Sequence, residues 1–502
     1  MTAISATSTE PDTRRAPRLM LPALCFIVMT VSILQTMVVP IVGHIGVQLG
    51  VDSVAVGWVL TANLLAAAVC TPMLGRLADL RGKRPVMIGV LTAVLCGSLL
   101  AALTQSLPWL IVGRVLQGVS FALFPIGIAV LRDELPPNRL VGGMGLLSGT
   151  LGVGGGIGMV VTGLLVHDDA DYRRVFWLAA GVSAVALAAA ALAIPARARS
   201  ASGSLDWAGA VLLAAGLVLV LLALSQGGEW GWRTPATLAC AVGGIVVLAG
   251  WFVFERRVPE PLVSPRMLTH RPVLVAHLTA LLVGAAMFVS FLACSYLVQT
   301  PPGVAGYGFG ASVLEAGAVY LLPGALAGVV AAAVSGRLMH RFSARTLMIV
   351  ACLIGVAGFV VIAVWHDATA TVIGAMVAVQ VFISLAYAAL PAMLVAEVTR
   401  AETGIANSVN SIARTVGSSL SSALVSTVLA TLTVSGTTVP REVAFVIVFG
   451  VGAAAAALAM LLTVFASGPA VRLPTPEEEA EVDATALAGE WGTVGGLGSG
   501  QG

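Results

Sequence analysis

The sequence predicts an all-α polytopic membrane protein of about fourteen spanning helices, arranged as six, two and six. Three observations lead there. The first is composition. Of 502 residues, 58% are hydrophobic and only 10% are charged, where a soluble domain carries about 25% charged residues. The second is spacing. Apolar runs of ~20 residues, enough to cross a bilayer as a helix, recur along the chain between short polar stretches. The third is the cations. With the N-terminus placed in the cytoplasm, 20 of the 26 Lys and Arg fall on the inner side and 4 on the outer, with Arg114 and Arg414 inside spans. A miscounted span would invert every later loop and destroy that asymmetry.

The chain opens with a polar segment, residues 1–18. The apolar run from Leu19 continues to about Val42 with no small-residue cleavage site after a short core. It reads as a retained first helix. Further spans are expected at 54–74, 85–104, 108–131, 141–166 and 175–195. Two more, at 206–225 and 235–254, come between Asp206 and Glu255. The last six are expected at 273–297, 313–335, 346–365, 369–394, 407–431 and 443–466. An even number puts both termini on the cytoplasmic side of the plasma (inner) membrane. Trp58, Trp109, Trp177, Trp230, Trp232 and Trp365 fall at outer ends of spans, where interfacial tryptophan belongs.

The second and third spans are joined by Gly75-Arg76-Leu77-Ala78-Asp79-Leu80-Arg81-Gly82-Lys83-Arg84. Four cations in ten residues exclude this stretch from hydrocarbon, so it is expected as a tight cytoplasmic loop. The stretch Gly336 to Arg345 echoes it after the tenth span, with His340 where the first has Asp79. Such duplication divides the chain into bundles 19–195 and 273–466, two inserted helices with linkers at 196–272, and a tail at 467–502. The tail is acidic, then glycine-rich, and is expected to be disordered.

Several function classes are excluded. The cations are scattered among loops, so no nucleic-acid face is expected. No nucleotide-binding loop and no metal constellation is present. The six cysteines lie in apolar runs without metal-site spacing, as buried inert thiols do. Hence no enzyme activity, no metal and no cofactor is expected. No filter sequence repeats, which argues against a channel.

From Val54 to Leu429 the chain resembles the major facilitator superfamily, and within it the fourteen-helix drug:proton antiporters. The Gly75 stretch is similar to that superfamily's loop signature at Gly75, Leu77, Asp79, Gly82, Lys83 and Arg84. The resemblance implies a latch that holds one access state. Physically, Asp79 can face the positive N-terminus of a helix from the other half. The alternative is a topogenic loop with solvated charges. Gly113-Arg114-Val115-Leu116-Gln117-Gly118 resembles the fourth-helix motif, whose Arg the family uses in proton handling. The competing reading of Arg114 is snorkelling, since the outer helix end lies only ~10 Å away. In the fifth span, Gly145, Gly154, Gly158 and Gly163 match the antiporter glycine spacing and allow close packing. Met159 stands where Pro is expected there, and Thr162 replaces a Gly.

The inserted helix also matches, at Asp206-Trp207-Ala208-Gly209. So does the run Gly404 to Gly417, in which Asn410 and Arg414 share a helix face. Arg414 either lines the cavity or snorkels. One departure matters more. Family members commonly have an acid where this chain reads Leu34-Gln35-Thr36, and Gln35 cannot titrate.

The expected function is therefore export of hydrophobic or amphipathic small molecules, multidrug-type efflux giving antibiotic resistance, by a monomeric proton antiporter with alternating access. The partners are the lipid bilayer, the substrate and protons. Proton-coupling candidates are Arg114, Asp133, Glu315 and His277, with Asp133 first. Cavity candidates are Gln35, Asn63, Gln117, Asn410 and Arg414. The alternatives are a specific metabolite or lipid exporter, an uncoupled facilitator and, last, a non-transporting receptor or scaffold.

Overall fold

A computed structural model describes residues 19–51, 53–166, 170–196, 206–259, 261–398, 402–435, 437 and 439–466. The N-terminal segment, the linker arginines Arg197 and Arg199, Arg400 and the acidic tail lie outside the described residues, as does the side chain of His340.

Fourteen helices are long and apolar enough to cross a membrane. The first six are α1 (Met20–Leu49), α2 (Ala55–Arg81), α3 (Lys83–Leu103), α4 (Leu107–Glu134), α5 (Arg139–Leu165) and α6 (Arg173–Ala193). The inserted pair is α7 (Trp207–Gly228) and α8 (Pro235–Glu255). The last six are α9 (Arg271–Gln299), α10 (Ala316–Met339), α11 (Ala344–Val364), α12 (Thr369–Val395), α13 (Thr403–Thr431) and α14 (Glu442–Phe465). Among the described residues there is no strand, only a bridge between Thr433 and Pro440. Helices satisfy their own backbone groups, which hydrocarbon demands.

The helices run further than the apolar runs do. The stretch expected as a tight loop from Gly75 to Arg84 is helical except at Gly82. Gly82 takes φ 97°, which only glycine adopts easily, and turns the chain in one residue. Cations at a helix end reach water from the last turn, so the charge did not require a loop. The echo at Gly336 behaves the same way. The helix of α10 continues past the span through Phe342, and Ser343 makes the turn at φ 73°. The Ser343 hydroxyl caps the next helix by accepting from the Thr346 amide at 3.3 Å.

The side-chain partners repeat as well. Arg84 donates to the Ala191 carbonyl at 2.5 Å, in the last turn of α6. Arg345 donates to the Val464 carbonyl at 2.8 Å, in the last turn of α14. A cation at a helix C-terminus meets unpaired carbonyls and the negative end of the dipole. Each duplicated stretch therefore ties three helices at one end of the molecule, called here the Gly82 end.

Packing follows the chain order. One core joins α1, α3, α4 and α6 through Leu24, Ile27, Met87, Leu91, Leu110 and Phe176. A second joins α9, α11, α12 and α14 through Val289, Met348, Phe359, Phe382 and Phe445. The inserted pair builds a third. Leu213, Leu217 and Trp251 pack with Ala68 of α2 and Ile405 of α13. Asp206 caps α7, accepting from the Gly209 amide at 2.9 Å. Glu255, buried, accepts from the Trp251 indole at 2.9 Å. A Cβ on Gly209 would lie 2.6 Å from the Glu255 carboxylate and would also meet Asp206. The two acids that bracket the insertion thus share one glycine.

Candidate functional site

The two six-helix groups meet along α5 and α10, and small residues allow it. Gly145 faces Ser335, Gly149 faces Ala332, and Gly156 comes so close to Ala325 that an added Cβ would lie 2.7 Å from its methyl. Gly163 meets Leu314. The same helix uses another glycine face against α1. A Cβ on Gly154 would lie 2.5 Å from the Met29 carbonyl, and Gly158 sits on Ile33 and Thr36. The Thr162 hydroxyl spans that seam, bonding the Met37 carbonyl at 3.0 Å. A hydroxyl bridge thus stands where the glycine pattern departs.

Between the two groups lies a cavity of about 60 Å³, against ~300–1,000 Å³ for sites that hold drug-sized ligands. One wall is Ser32, Gln35, Phe121, Phe124 and Leu151. The facing wall is Met287, Tyr387, Ser411, Arg414, Thr415 and Ser418. The Tyr387 hydroxyl donates to the Met287 sulfur at 3.1 Å. Phe121 belongs to a 3₁₀ turn, Val119–Ala122, that interrupts α4 beside the cavity. No Asp, Glu or His is among the residues lining it.

Arg414 lines the cavity and does not snorkel. It is 6% exposed, with its charge 4.7 Å from the Phe124 ring centre and 4.8 Å from that of Tyr387. It donates to the Asn410 side-chain oxygen at 3.2 Å, across the turn expected from their spacing. The Asn410 amide in turn donates to the Ala276 carbonyl at 3.3 Å.

Arg114 is also buried, only 1% exposed, and its donors are bonded inside the helix group. It donates to the carbonyls of Val59 at 3.0 Å and Leu34 at 3.2 Å, and to the Gln117 oxygen at 2.6 Å. Gln117 donates onward to Ser98 at 2.9 Å, and Asn63 donates to the Arg114 carbonyl at 3.0 Å. Asn63 and Gln117, expected on the cavity wall, instead fasten this network inside the first six helices. Neither residue is among those lining the cavity. Of the departing triplet, Leu34 holds Arg114, Gln35 faces the cavity and Thr36 packs on α5.

The remaining acids and the histidine lie away from the cavity. Asp79 is buried against Gly404, in the first turn of α13. A Cβ on Gly404 would fall 2.7 Å from its carboxylate. Gly75 meets Ser408 one turn further along, and Arg132 donates to the Val398 carbonyl at 3.4 Å. At the Gly82 end the two groups of helices are therefore in contact. Asp133, the first proton candidate, is ion-paired with Lys83 at that end, its side chain 36% exposed. Glu315 forms a reciprocal cap with Ser312, each accepting from the other's amide at 2.8 and 3.2 Å. His277 is buried on α9, with no hydrogen-bond partner for either ring nitrogen among the described residues.

Known proteins resemble this chain along most of its length. The sequence model of the Major Facilitator Superfamily matches residues 24–422 and 285–496. Multidrug resistance protein 3 of Bacillus subtilis is 26% identical over 402 residues, 78% of this chain and 76% of that protein. Puromycin resistance protein pur8 of Streptomyces alboniger is 30% identical over 389 residues, 76% of this chain and 75% of that one. Two further relatives are matched over 45% and 55% of their own length. In fold, the chain is similar to the human organic anion transporter MFSD10 (TETRAN). The TM-score is 0.62 at 16% identity, over 90% of this chain and all of that one. Fourteen spanning helices, two packed groups of six and a family match along most of the sequence lead to one conclusion: this multi-pass membrane protein belongs to the major facilitator superfamily of transporters.

Proposed function

We propose that this chain is a secondary exporter of hydrophobic or amphipathic small molecules, of the multidrug type. The observation that carries the reading is the cavity with one wall from each six-helix group. Bundles 19–195 and 273–466 would rock about it, with 196–272 as an appended pair. A cavity of about 60 Å³ must widen to admit a substrate, so the state described here is a contracted one. The names of the relatives, multidrug and puromycin resistance proteins, support efflux as the direction.

Proton antiport is the expected coupling, with Asp133 as its first candidate carrier. A second reading, an uncoupled facilitator, is favoured by one observation: no Asp, Glu or His lines the cavity. An antiported proton needs a group exposed to each side in turn, and Asp133 sits at the Gly82 end. Purified protein in lipid vesicles with an imposed pH gradient tests the coupling. Antiport predicts uptake of a hydrophobic dye that follows the gradient and is lost in Asp133→Asn. Dye movement indifferent to the gradient gives the facilitator. No dye movement at all returns the chain to the receptor or scaffold class.

A further inference from the structure

We infer that the cavity selects amphipathic organic anions, with an apolar or aromatic body and a carboxylate or sulfonate seated on Arg414. This rests on the exporter reading and names its substrate class.

The argument begins with two buried guanidiniums that are treated differently. Each guanidinium has five N–H donors. Arg114 places its donors on two backbone carbonyls and Gln117, away from the cavity. Arg414 makes one side-chain hydrogen bond, to the neutral Asn410, and faces the cavity. No Asp or Glu among the described residues pairs with it. A charge held in a membrane interior is costly unless it is paired. The other polar groups of the lining, Gln35, Ser411, Thr415 and Ser418, are all neutral. The cavity is therefore electropositive, with one fixed charge and no counter-ion.

Geometry adds direction. Phe124 and Tyr387 meet Arg414 through their ring faces, at 4.7 and 4.8 Å. Cation–π contacts use the flat face of a guanidinium, and hydrogen bonds use its edge. The edge is therefore where a planar carboxylate can accept two parallel bonds. Phe121, Leu151 and Met287 then supply the apolar wall for the rest of the molecule. A lipophilic cation would meet the same wall but be repelled by Arg414. On the facilitator reading, exporting an anion requires no carried proton, because an inside-negative membrane potential drives it outward. That accounts for a cavity without a titrating acid.

The test uses the full chain in lipid nanodiscs and three probes of one scaffold: naphthoate, naphthamide and naphthylmethylammonium. Binding of each is measured by calorimetry. The expected order is naphthoate first, by about tenfold or more over the amide, and the ammonium last. Arg414→Gln should remove the preference for naphthoate, and Arg414→Lys should keep part of it. Gln35→Glu, which adds a carboxylate to the opposite wall, should weaken naphthoate and favour the ammonium; this arm stands even where Arg414→Gln fails to fold. The inference is overturned if the ammonium binds as well as naphthoate, if no probe binds the folded wild type, or if Arg414→Gln keeps the preference. Vesicle transport of the same probes separates the two readings. Naphthoate that binds but does not move sinks the exporter and leaves the selectivity. Export without charge preference does the reverse.

Discussion

Arg114 and Arg414 both interrupt apolar runs, and hydropathy treats them alike. Their neighbours make the difference. Arg114 ties α1, α2 and α4 together through Leu34, Val59 and Gln117. A lysine keeps the charge but offers a point donor instead of a fork. Arg114→Lys should therefore leave at least one of these buried acceptors unpaired, at about 1–3 kcal/mol. The expected outcome is a lower melting temperature in detergent with insertion unchanged; an unaltered melting curve would show the network to be dispensable. The sequence singled out both arginines. It could not tell the one fastened to backbone carbonyls from the one facing the cavity, because the deciding carbonyls lie 55 and 80 residues away along the chain.

The element that changes most between sequence and structure is the end of α2. Counting charges gave a loop; the structure gives a helix that carries Asp79 onto the first turn of α13. A carboxylate at a helix N-terminus contributes up to about 2 kcal/mol when partly buried, a factor of roughly thirty in an equilibrium between access states. Asp79→Asn should insert normally and lose most of its transport. Gly404→Ala should do the same from the other side of the contact, since its methyl would crowd the carboxylate. Transport at the wild-type rate in both would reduce the contact to packing. The partner helix for Asp79 was legible only as a class, a helix N-terminus of the other half. The capping role of Glu315 is legible in Ser312 three residues earlier, a Ser-x-x-Glu spacing. The sharing of Gly209 by Asp206 and Glu255 was not legible at all, because the acids lie 49 positions apart at opposite ends of the helix pair.

At the scale of the whole molecule, the count of helices and their order were legible, because each crossing must repeat the same length of apolar chain. Orientation rests on the cation asymmetry. In a background freed of native cysteines, Arg81→Cys should be shielded from impermeant thiol reagents added outside whole cells, and Gly306→Cys should react. Both positions are exposed, so labelling reports the side of the membrane and not burial. Strong outside labelling at Arg81→Cys would invert the topology and, with it, the direction of transport.

Gly82 and Ser343 carry a mechanical consequence. A hinge of several residues has slack: one helix can start moving before the next one feels it. A one-residue joint has almost none, since neighbouring Cα atoms are held about 3.8 Å apart. A displacement of α2 at its Gly82 end reaches α3 undiminished, and Arg84 passes it to the tail of α6. The second half is geared in the same way, from α10 through Ser343 to α11 and, by Arg345, to α14. Under the proposed rocking, each half would turn as a train of three engaged parts with little backlash.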